Sequence, residues 1–185
     1  MSATCDIINH ANMLANLANN LGSVQTLIKV VAYVMGFAFG IKGIMSLRHL
    51  SESRGGGQQS GKEVVAYFIA AAALVSLPTT ISIVLQSSFG SSNILAYSPI
   101  NSSNAAFSAL FGSGSTVGRS LVMIIQTIGY VAFVRGFVLL TKSGSGQGGQ
   151  QSGGIGKGLT HILGGILAIN IVGTLQIINN TLYGT

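Results

Sequence analysis

Catalysis needs convergent ionisable or nucleophilic side chains, and this chain offers three acids, three histidines and a single cysteine. Asp6, Glu52 and Glu63 are the carboxylates available for acid–base work, and they fall in different segments. Neither His-x-x-x-His nor Cys-x-x-Cys spacing occurs, so a zinc-type ligand set has no starting pair. No Ser-His-Asp constellation can be drawn either. Gly-Lys-Gly at Gly156 to Gly158 lacks the spacing and the Ser or Thr of a phosphate loop. Cys5 has no partner for an intramolecular disulfide and reads as an inert small residue. The expectation is a protein that is not an enzyme and holds no metal or cofactor.

What polar chemistry remains is mostly cationic. Nine Lys and Arg against three acids give a formal charge of +6. A nucleic-acid surface would interleave several cations with exposed aromatics, and no stretch does so; direct nucleic-acid binding is not expected. The cations gather instead near two Gly/Gln/Ser stretches, Lys42, Arg48, Arg54 and Lys62 around the first, Arg135, Lys142 and Lys157 around the second. Such residues suit lipid headgroups or the lining of a polar lumen. A bound phospholipid is a candidate ligand for them, and an acidic partner is another.

The elements that carry these residues follow from composition. Only 6% of residues are charged and 48% are hydrophobic, with a mean hydropathy of +0.61. Ordinary globular domains are about 25% charged. A soluble bundle of buried helices would need a polar exterior that twelve charges cannot build. About 20 apolar residues cross a bilayer as a helix, and four windows qualify: Val24 to Leu47, Val64 to Leu85, Ser120 to Thr141 and Leu159 to Leu182. The first 22 residues lack the basic start and continuous apolar core of a signal peptide. Ile7, Leu14, Leu17 and Leu21 there recur at helical spacing among asparagines, which predicts an amphipathic helix.

Basic loops favour the cytoplasmic side. The connections around residues 48–63 and 142–158 are basic, whereas residues 86–118 carry no charge. Both Gly/Gln/Ser bends are therefore expected inside, with the middle loop and both chain ends outside.

The string Gly-Gly-Gln-Gln-Ser-Gly occurs at Gly56 to Gly61 and again at Gly148 to Gly153, 92 positions on. Lys42-Gly43 recurs as Arg135-Gly136 after 93 positions, and Gly61-Lys62 as Gly156-Lys157 after 95. Pro78-Thr79 matches Gly173-Thr174, also 95 on. Matching flanks at a steady offset argue for an internal repeat, where glycine-rich strings alone would not. The expected fold is an all-α membrane protein: an amphipathic N-terminal helix (1–22), a first membrane hairpin (23–86), a polar outer loop (87–118) and a second membrane hairpin (119–185). The two hairpins are parallel repeats, related by a pseudo-two-fold along the membrane normal.

Packing residues can be nominated too. Gly36 with Gly40, Ala132 with Gly136, and Gly164 with Ala168 each form a small-x-x-x-small face, the kind of surface on which membrane helices approach closely. Asn170 reads as hydrogen-bonding glue between helices, with Gln176 beyond it. Pro78 should kink the second span, with Ser76, Thr79 and Thr80 near enough to satisfy the freed backbone groups. Four such spans carry more contact surface than one bundle requires, which points to self-association.

The stretch GKGLTHILGGILAINIVGT, Gly156 to Thr174, resembles the C-terminal signature of the IcmC/DotE and related small membrane proteins of Dot/Icm type IVB secretion systems, with similar proteins in I-type conjugative plasmids. The resemblance implies an inner-membrane, non-enzymatic component of a machine that exports effectors or transfers DNA, working with other subunits of that machine. The chain is also similar in topology to two conjugative pilins in tandem, which would make it a pilus subunit if it polymerised. The rival expectation is a small transporter or channel built from two parallel repeats, using Asn170, Gln176, Lys42 and Arg135 along a path.

Overall fold

The computed structural model describes residues 2–52, 61–90, 116–144 and 154–183. Both Gly/Gln/Ser bends apart from Gly61, together with Arg54 and most of the expected outer loop, lie outside the described residues. Every described element is an α-helix: α1 (Ser2–Glu52), α2 (Gly61–Val75), α3 (Leu77–Phe89), α4 (Thr116–Gly144), α5 (Gly154–Ile169) and α6 (Ile171–Tyr183).

The separate N-terminal helix is not observed. α1 runs unbroken for 51 residues through Gly22 and Ser23, the expected boundary. A lone glycine costs a helix only about 1 kcal/mol, too little to end one without proline or a capping turn. Among the described residues two stretches are long and apolar enough to cross a membrane unbroken: Asn19–Glu52 of α1 and Ser120–Gly144 of α4. The expected second span is α2 and α3, bent by 93° at their junction; counted as one it would make a third. The expected fourth is interrupted at Asn170, leaving α5 with 16 residues. At 1.5 Å per residue α5 is about 24 Å long, short of a bilayer core of about 30 Å.

The α2–α3 bend has a local cause. Pro78, in the first turn of α3, has no N–H to continue the helix and clashes with the preceding turn. Ser76 stabilises the broken end: its Oγ donates to Ala72 O at 2.6 Å, and lies 3.1 Å from Thr80 Oγ1. α3 ends where Gly90 takes a left-handed conformation (φ 69°) and returns its N–H to Gln86 O at 3.0 Å, which a side chain would strain.

α4 is the centre of the molecule. α5 packs along it, α2 packs along α1, and α1 and α2 both lie against α4. The core draws on all of these with Leu77, Ile81 and Leu85 of α3; Phe133, Leu74 and Ile169 are its largest closed members outside α3. Phe133 meets Phe137 edge-on, with ring centroids 5.1 Å apart. Outside this core the surface is apolar to a degree water would not support. Leu27, Val34, Phe37, Ile41, Ile44, Ile83 and Leu163 are all more than half exposed.

Candidate functional site

The best-defined feature is not a pocket but the way each long helix is clasped by its partner. In the second hairpin glycine meets glycine. A methyl group placed on Gly129 would lie 2.9 Å from Gly165 O, and one on Gly136 would lie 2.8 Å from Gly158 O. The contact is reciprocal: a methyl on Gly165 would stand 2.7 Å from Phe133 N. Any side chain at these positions would force α4 and α5 apart, so the backbone contact depends on hydrogen as the side chain. In the first hairpin a methyl on Gly36 would lie 2.9 Å from Val75 N, and one on Gly43 would touch Tyr67 and Phe68 at 3.4 Å.

These contacts sort the nominated residues. Gly36 and Gly136 are in the close contacts, and Gly40 faces Ala71 at an ordinary 3.8 Å. Ala168 lies on the α4 side, 3.0 Å from a methyl built on Gly129. Ala132 is half-buried. Gly164 is exposed and has open space where a side chain would go; its neighbour Gly165 holds the contact instead. Asn170 stands at the α5–α6 break, where its Oδ1 accepts the Gly173 N–H at 3.2 Å, so it caps α6. The contact glycines that sequence reasoning missed, Gly43, Gly129, Gly158 and Gly165, share a signal. They fall in pairs seven apart, 36/43, 129/136 and 158/165, two turns along one helical face.

The two hairpins meet through a polar seam near the start of the apolar part of α1. Gln25 Nε2 donates to Thr127 Oγ1 at 3.1 Å in a buried pair, and Thr127 Oγ1 donates onward to Met123 O at 2.8 Å. Lys29 Nζ lies 5.6 Å from the centre of the Tyr130 ring, within cation–π range. No buried side-chain nitrogen or oxygen among the described residues lacks a hydrogen-bond partner.

The cations are spread along the hairpins rather than gathered. Lys42, Arg48, Lys62, Arg135, Lys142 and Lys157 are exposed. Arg48 pairs with Glu52 one turn on at 2.9 Å, an exposed contact of small energetic weight. The Lys157 carbonyl stands 2.8 Å from His161 Nδ1. Arg135 lies at a groove of about 370 Å³ between α1 and α4, otherwise lined by Leu27, Ile28, Val31, Met35, Val131, Val134 and Val138. That groove suits an apolar chain, with one cation at hand for an anionic group. Among the described residues no three His, Cys, Asp or Glu side chains converge as a metal site would require. Compared with family models, curated proteins and solved structures, the chain finds no match.

Proposed function

We propose that this protein is a structural, non-enzymatic subunit of a type IVB secretion or conjugation apparatus in the bacterial inner membrane, where it self-associates or polymerises to support effector or DNA transfer. Assignment to that apparatus rests on the resemblance of Gly156 to Thr174. The structural role rests on one observation: two hairpins are clasped in the same way at corresponding positions. Gly36 and Gly43 of α1 match Gly129 and Gly136 of α4, both 93 positions on. Ala71 opposite Gly40 matches Gly165 opposite Phe133, and the break at Ser76 matches the break at Asn170, each 94 on. α3 and α6 are both 13 residues long. A tandem repeat of parallel hairpins accounts for all of this, and such repeats are surfaces for assembly. The basic ends of the hairpins face the cytoplasm in this reading. Arg135 and its groove are then placed for a phospholipid.

Deleting the gene in a host that carries such an apparatus should abolish transfer while leaving growth intact, with recovery when the gene is restored. Unchanged transfer would remove the assignment. A second reading, a small transporter, draws support from the paired helix breaks, since transporters bind substrate where corresponding helices are discontinuous. It predicts flux in proteoliposomes that Asn170→Leu abolishes. The described groove between the hairpins is apolar apart from Arg135, which favours the structural reading.

A further inference from the structure

Corresponding positions in the two hairpins have unequal surroundings. Tyr130, Val134 and Phe137 of α4 are 3%, 8% and 7% exposed and share the core cluster with Ala32 of α1 and with Ala70 and Leu74 of α2. Their matches on α1, 93 positions earlier, are Phe37, Ile41 and Ile44, exposed at 54%, 58% and 62%. The same inequality holds on the other partner. Ala66 of α2 lies against α4, its Cβ 2.8 Å from a methyl built on Gly144, and Ala70 is fully buried. Their matches on α5, 94 positions later, are Thr160 and Gly164, both exposed, and Gly164 has nothing within 4 Å of a built methyl.

The junction of α2 on α4 therefore has a counterpart that the chain leaves open. Both halves of it are present and exposed: Thr160 and Gly164 on α5, and Phe37, Ile41 and Ile44 on α1. A two-fold between the hairpins would place α5 on α1 as α2 is placed on α4. Among the described residues α5 makes no comparable packing with α1. The junction between hairpins is thus heterologous, and a heterologous contact continues into a ring or filament instead of closing on itself.

We infer that α5 of one copy docks on α1 of the next, repeating the α2-on-α4 contact, so that copies associate head to tail. The occupant of each bare face is a second copy, because the internal junction is continuous with it and supplies the template for both surfaces. Apolar exposure alone would fit lipid equally well; the matched burial on α4 and α2 is what selects protein. The inference rests on the repeat and self-association reading above and specifies its interface.

Disulfide trapping in native membranes tests it, with Cys5→Ser as background. The pair matching Gly144 and Ala66 is Ser51 and Thr160, both exposed. Ser51→Cys combined with Thr160→Cys should give an oxidant-dependent ladder of dimers, trimers and larger species, and neither change alone should. Ala66→Cys with Gly144→Cys, held within disulfide reach inside one chain, should close without a ladder and shows that oxidation works. A closed internal pair with no ladder from the Ser51/Thr160 pair overturns the interface. Dimers from Ser51→Cys alone overturn the head-to-tail arrangement in favour of a face-to-face one. Parallel native mass spectrometry of the otherwise unmodified chain separates the two levels. Multimers without the ladder refute this interface and leave self-association standing, whereas monomers alone refute both.

Discussion

At the scale of residues, adjacent glycines on α5 have opposite roles. Gly165 is held against Phe133 N and Gly129 O, and Gly164 faces open space. Gly165→Leu should destabilise the second hairpin by about 1–3 kcal/mol, the usual cost of overpacking a closed contact. Gly164→Leu should leave the hairpin's own stability within about 0.5 kcal/mol of the parent, as surface changes do. Thermal unfolding in detergent, with the protein dispersed as monomers, compares them; equal losses would show that the α4–α5 contact is not where it is described. The residue types of this contact were legible in the sequence, but the face was not. A small-x-x-x-small pattern selects Ala168, which lies on the α4 side, together with Gly164, which does not; the seven-residue pairing of 158 with 165 selects the two glycines in close contact. The Gln25–Thr127 bond gave no local signal, because it joins residues 102 apart.

At the scale of elements, helix was readable throughout and helix continuity was not. Composition and period identify apolar helices, and Pro78 marked the second span for a kink. The 93° size of the bend had no signal in the sequence; in the structure Ser76 satisfies the broken end, and Leu77, Ile81 and Leu85 are buried in the core. The break at Asn170 carries no proline and was missed for that reason. At Gly22 the opposite error occurred, a boundary drawn where one weak helix former is carried through. Pro78→Ala restores the missing N–H and should let α2 and α3 straighten. With spin labels at Glu63 and Gln86, the right-angle arrangement gives a separation of about 25 Å, and a straight helix about 35 Å. A lengthened distance in Pro78→Ala is expected from electron paramagnetic resonance in lipid. An unchanged short distance would mean that core packing, not proline, sets the bend.

At the scale of the whole molecule, one fact connects the hairpins to a role: the face that buries Tyr130, Val134 and Phe137 on α4 is bare on α1. In the repeat proposed above, one of two equivalent junctions is filled within the chain and the other is left open, which supports the proposed role as a subunit of a larger assembly. The proposed topology puts the basic hairpin ends on one side of the membrane, in keeping with the positive-inside rule. The most direct measurement is native mass spectrometry of the protein extracted with its surrounding lipid and no other subunit present. Multimers of this chain that persist on dilution into lipid nanodiscs are the expected result. A strictly monomeric protein at every concentration would contradict it.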